Sequence, residues 1–161
     1  MDTSIQTLPD YNAACLRAVG PYGPEVEGKA FKALGEWAAK NDVMDLVKNP
    51  GMKYMGLYYD DPETTAPEEC RTDACVVVPE GTEGIDDIEV RTVEGGKFFV
   101  AHVQITPDRF MESWNNAMAE LMKAGHEHEC DSRPCREIFY NCPSQHPAGM
   151  FVVDLCIPVK G

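Results

Sequence analysis

Positive charge is scarce in this chain of 161 residues. Lys and Arg number 14 against 27 Asp and Glu, a formal net charge of −13. Direct binding to DNA, RNA or an anionic membrane needs basic surface, so the balance argues against all three. It suits cationic ligands, or solubility alone. Long apolar runs are missing too, and none approaches the roughly 20 residues of a membrane helix. The start, MDTSIQTLPDYNAACLRAVG, is mixed rather than basic and then apolar, so no export signal is read there. The seven cysteines are odd in number, which leaves at least one without an intrachain disulfide partner. A cytoplasmic protein with reduced thiols is expected. No CxxC occurs. Cys70–Cys75 and Cys130–Cys135, the second following His126 and His128, are spaced more loosely than most zinc ligand pairs. Cys75 and Cys156 lie in apolar runs, where a thiol behaves as a small hydrophobe. Neither metal nor cofactor is expected.

What is present is a weak internal repeat. LYYDDP at 57–62 matches IFYNCP at 138–143, and DACVVVP at 73–79 matches DLCIPV at 154–159, both at an offset of 81. Upstream, 7–20 matches 92–105 at an offset of 85. Each half then reads strand, strand, helix, strand, strand. In the first half the strands fall near 3–8, 12–19, 54–60 and 71–79, with a helix near 24–41. In the second they fall near 87–93, 97–105, 135–141 and 150–158, with a helix near 107–125. Pro24, Glu25 and Glu27 suit the start of the first helix, and Thr106, Pro107 and Asp108 that of the second. Ala30, Phe31, Leu34, Trp37 and Ala38 recur at helical spacing, as do Phe110, Trp114, Ala117, Met118 and Leu121. The expected fold is α+β: two pseudo-twofold-related strand–helix–strand–strand modules with antiparallel sheets, halves near 3–79 and 87–159, packed as one domain over 1–161 with a central groove.

Glu137 is the residue that does not suit its surroundings. It stands in PCREIFYN, Pro134 to Asn141, where a strand normally carries something apolar. Side chains alternate across a strand, so Ile138 and Tyr140 share one face and Cys135, Glu137 and Phe139 the other. Assigning the Ile138 side to the helix turns Glu137 and Phe139 away from it. The same alternation places Phe98 and His102 with Glu137, and the offset of 81 sets Gly56 and Tyr58 against Glu137 and Phe139. A carboxylate walled by rings is a trap for cations. A cation at about 4 Å gains on the order of 4 kcal/mol at an effective dielectric near 20, and each ring face adds roughly 0.5–2 kcal/mol. The bland alternative pairs Glu137 with an arginine such as Arg17 or Arg136, or points it into water.

RAVGPYG, GLYYDDPETTAPEECRTDACVVVP, EGGKFFVAHV and RPCREIFYN resemble the GyrI-like family, the effector-binding domain of multidrug-sensing transcription regulators. The resemblance runs from about Ser4 to Val159. It implies the two-module fold and an aromatic groove with an acidic residue that receives lipophilic, often cationic, small molecules. It implies that Glu137 takes the place of the pocket glutamate, with Pro134, Cys135, Arg136, Ile138 and Phe139 in the same stretch. Arg136 and Phe139 depart from the family's aromatic and Tyr, the first adding an internal counter-ion and the second removing a hydroxyl. Many relatives carry a DNA-binding helical domain ahead of this one. The chain begins at its first strand, so a stand-alone member is expected.

Three functions follow in order. The first is binding and sequestration of lipophilic or cationic small molecules through Glu137, Tyr58, Phe98, His102, Phe139 and Tyr140, with Trp37 and Trp114 reaching the edges. The second is a hydrolase of cyclopropane-containing DNA-alkylating compounds, with Glu137 activating water and His102 assisting. No paired carboxylates or nucleophile–base motif stand out for it, so catalysis is left open. DNA gyrase as a protein partner comes last, because the acidic residues are scattered along the chain.

Overall fold

The computed structural model describes the whole chain, Met1 to Gly161, and divides it into two compact units. One unit is Asp10–Glu94, the other Met1–Pro9 with Gly95–Gly161. Strands β1 (Asp2–Leu8), β2 (Tyr11–Val19), β3 (Tyr54–Tyr58), β4 (Arg71–Val77), β5 (Ile88–Val93), β6 (Gly96–Ile105), β7 (Cys135–Phe139) and β8 (Phe151–Pro158) accompany helices α1 (Pro24–Lys40) and α2 (Phe110–Lys123). The fold is α+β with antiparallel pairing throughout. No helix is long and apolar enough to cross a membrane.

In the Asp10–Glu94 unit the sheet order is β3-β4-β2-β5. Helix α1 lays Ala30, Leu34, Trp37 and Ala38 on Ala14, Ala74, Val76 and Val78, with Phe31 packed alongside. Pro24 opens the helix, and Glu25 and Glu27 lie at the positive end of its dipole. In the other unit the order is β1-β6-β8-β7. Helix α2 lays Ala117 and Leu121 on Phe99, Ala101, Val153, Leu155 and Ile157, with Phe110, Trp114 and Met118 packed around them. Both helical stripes match the sequence periodicity. The turn Pro107–Arg109 is 3₁₀ rather than α, and no cap hydrogen bond comes from the Thr106 side chain.

Strand membership differs from the expectation. Residues 3–8 were read with the first half, yet β1 pairs with β6, Asp2 opposite His102 through Leu8 opposite Gly96. Residues 87–93 were read with the second half, yet β5 pairs with β2, Tyr11 opposite Val93 through Leu16 opposite Ile88. A repeat found along the chain reports order, not pairing. The short connections Pro9–Asp10 and Glu94–Gly95 therefore do not close hairpins. Gly95 is required where the chain passes itself: a Cβ there would stand 2.1 Å from the Leu8 carbonyl oxygen and 2.4 Å from that of Pro9.

Candidate functional site

Register decides where Glu137 points. It lies opposite Leu155, and Phe139 opposite Val153. Directly opposed residues share a face, and Leu155 and Val153 belong to the core under α2. Glu137 and Phe139 therefore face the helix, and Ile138 and Tyr140 face away, the reverse of the expected assignment. The reason is local. β7 is buried on both faces, so Ile138 and Phe139 are equally acceptable under a helix, and alternation alone cannot choose between them.

Glu137 is 3% exposed, and the indole Nε1–H of Trp114 donates to its Oε2 at 2.7 Å. Trp114 comes from α2, where the helical stripe aims it at the sheet. On the same side Phe139 stands 5.6 Å from Phe151, and Phe151 5.1 Å from Phe110, centroid to centroid. The result is a buried carboxylate held by an indole beside a chain of three rings. Phe110 and Phe151 were not among the expected site residues. The helical periodicity that named Phe110 a core residue, with the β8 alternation Phe151, Val153, Leu155, was the available signal.

Phe98, His102 and Tyr140 lie on the opposite face of that sheet, so they do not join Glu137. Phe98 is fully buried, with the Arg136 guanidinium 4.4 Å and that of Arg133 4.9 Å from its ring centroid. His102 Nδ1 lies 2.7 Å from Asp154 Oδ1, and the Tyr140 hydroxyl donates to Asp154 Oδ2 at 2.6 Å.

In the Asp10–Glu94 unit, Trp37 is 8% exposed and belongs to the core under α1. Tyr58 also faces that helix: its hydroxyl hydrogen-bonds Glu27, which in turn accepts the Gly23 N–H at 3.2 Å. Its ring meets Tyr22 edge-on at 5.2 Å. The Tyr58 hydroxyl folds over Gly56, 3.3 Å from where a Cβ would be. Burial raises the Glu27 pKa, and the bonds from Gly23 and Tyr58 only partly oppose that.

The opposite face of this unit carries Asp73, 1% exposed. Arg17 Nε donates to Oδ1 at 2.8 Å, and the Tyr59 hydroxyl to Oδ2 at 2.7 Å, where Arg91 also donates. Burial alone would raise the Asp73 pKa. The hydrogen bonds from Arg17, Tyr59 and Arg91 outweigh it and hold the carboxyl below its ordinary value. Arg17, which the bland reading offered to Glu137, pairs with Asp73. Tyr59 with Asp73 and Tyr140 with Asp154 are the same pair repeated at the offset of 81. Each pair takes a basic partner from the neighbouring strand. Sequence reasoning used the two Asp-containing stretches for architecture and passed over their acid, although an Asp inside an apolar strand was the signal.

The repeated βαββ units, one with a buried carboxylate bonded by an indole, make a small α+β domain. The model of the GyrI-like small molecule binding domain matches residues 1–160, and the chain belongs to that family. A curated relative, DNA gyrase inhibitor 2 of Dickeya dadantii (strain 3937), is 30% identical over 130 residues, covering 79% of this chain and 78% of the relative. Among solved structures, the C-terminal domain of EcmrR superposes with a TM-score of 0.75 at 12% identity, covering 99% of this chain and 97% of that one. SAV2435 bound to tetraphenylphosphonium superposes with a TM-score of 0.63 at 16% identity, covering 100% and 95%. These structural likenesses concern the fold.

Proposed function

We propose that this chain binds lipophilic cations and holds them through the charge of Glu137, with Trp114, Phe139, Phe110 and Phe151 supplying ring surface. One observation carries the reading: a carboxylate 3% exposed, set among aromatic side chains and bonded by an indole. A buried anion favours a cation over water, and rings receive the apolar body of the ligand. Tetraphenylphosphonium has this chemistry, and a protein of the same fold is described as bound to it. Tyr58 with Glu27 forms a second aromatic–carboxylate contact under α1, and Trp37 acts on this reading as core packing. Phe98, His102 and Tyr140 act on this reading through packing and hydrogen bonding rather than ligand contact.

The test is a fluorescence screen with cationic and neutral aromatic dyes, followed by mass spectrometry of the recovered dye. Preferential binding of cations, with the dye unchanged, is the expected result. A product heavier by one water would replace sequestration by hydrolysis.

A second reading is inhibition of DNA gyrase. A relative at 30% identity carries that name, which moves a gyrase partner ahead of the last place that scattered charge gave it. The net charge of −13 suits a partner with a basic surface. A supercoiling assay with purified gyrase and this chain tests it, and loss of supercoiling at stoichiometric protein supports it.

A further inference from the structure

Two thiol pairs stand at almost the same separation in very different surroundings. Cys15 and Cys75 are opposite each other on β2 and β4, with sulfurs 3.0 Å apart and exposures of 2% and 0%. Cys130 and Cys135 have sulfurs 3.1 Å apart and are both half-buried. Cys130 lies in the loop after α2, and Cys135 begins β7. That loop is held in place independently of its sulfurs. The backbone N–H groups of Ser132 and Arg133 donate to the Glu129 carbonyl, and the Arg133 guanidinium donates to the carbonyls of Gly95, Lys97 and Val159. The two sulfurs are therefore presented together, and bonding distance, about 2.05 Å, is a shift of about 1 Å away.

We propose that Cys130 and Cys135 are an oxidative modification site, a dithiol that closes reversibly to a disulfide against a low-molecular-weight disulfide such as oxidised glutathione. Cys130, as thiolate, attacks one sulfur of the oxidant. A mixed disulfide forms and one thiol departs. Cys135 then gives up its proton and attacks the Cys130 sulfur, forming the intramolecular bond and releasing the second thiol. Two protein thiols lose two electrons, and one oxidant disulfide gains them. The order follows from the pair. The hydrogen bond with Cys130, and then burial, push the Cys135 thiol well up, which suits it to the second, intramolecular step. Cys15 and Cys75 have the proximity, but at 2% and 0% exposure their sulfurs present little surface to an oxidant, so they stay reduced in the folded chain.

Cys142 is exposed, and its bonds with Ser144 lower its pKa, so it competes for oxidant. The experiment therefore uses the full chain carrying Cys142→Ser. It is incubated folded with oxidised glutathione, acid-quenched, alkylated and mapped by mass spectrometry. The expected result is a Cys130–Cys135 link that dithiothreitol reverses, with Cys15 and Cys75 recovered as free thiols. Adding Cys135→Ser should trap glutathione on Cys130, while adding Cys130→Ser should leave Cys135 largely unmodified. Recovery of both Cys130 and Cys135 as free thiols, under conditions that glutathionylate Cys142 in the unsubstituted chain, would overturn the proposal. So would equal oxidation of Cys15 and Cys75.

Discussion

Asp73 and Glu27 are carboxylates shifted in opposite directions, and they separate in their response to pH. The folded pKa of Asp73 lies below its unfolded value. Its contribution is fully present above about pH 4 and is lost as pH falls through the folded value. Asp73→Asn should cost about 2 kcal/mol at neutral pH, less than a fully buried pair because Arg17 reaches water. Urea denaturation at pH 7 and pH 3 checks this: the gap between wild type and variant should narrow in acid. Glu27 has a raised folded pKa, so its ionised form weighs against folding at neutral pH and protonation relieves it. Glu27→Gln keeps an acceptor for the Gly23 N–H, and its melting temperature at pH 7 should equal or exceed that of wild type. A clear fall would mean that the charge itself is needed at the helix start. Glu137 was legible as an anomaly because a carboxylate in an apolar run is costly to bury. Trp114 was expected only at the edge of the groove, because it reads first as a member of a helical stripe, and its direct hydrogen bond to Glu137 was not legible.

Helices and strands were legible nearly to their ends, and their partners were not. Ala30, Leu34 and Trp37 repeat every three or four residues because one side of α1 must be dry. That pattern is written in the chain. Which strand lies beside β6 is not, since β1 and β5 both carry mixed sequence and both precede a βαββ module. Gly95 is the local mark of the actual path. Gly95→Ala forces a methyl group onto two backbone carbonyls and should cost at least about 2 kcal/mol. Gly51→Ala, where a Cβ would meet nothing within 4 Å, should stay within about 0.5 kcal/mol of wild type. Thermal unfolding of the two variants reads the difference. Equal effects would contradict the β1–β6 arrangement. The face of β7 was the other failure of sequence reasoning. Its three central residues are buried and its two end residues half-buried, so no exposed side sets the phase, and the register with β8 sets it.

Across the whole chain, excess negative charge shapes what can approach. With a net −13, the chain should not retard duplex DNA in a gel-shift assay even at low salt, where non-specific binding is strongest. A retarded band would require a basic surface that the composition does not provide. The same field draws cations toward the protein, and on the proposed function the Glu137 carboxylate receives them beside rings. The most direct test of that claim is isothermal titration of wild type and Glu137→Gln with tetraphenylphosphonium and with a neutral aromatic compound of similar size. The substitution keeps an oxygen for the Trp114 indole and removes the charge. Tetraphenylphosphonium should lose about 1–3 kcal/mol of affinity, and the neutral compound should change far less, because apolar burial at roughly 25 cal/mol per Å² drives it. Equal losses for both ligands, or unchanged affinity for the cation, would contradict recognition through the charge of Glu137.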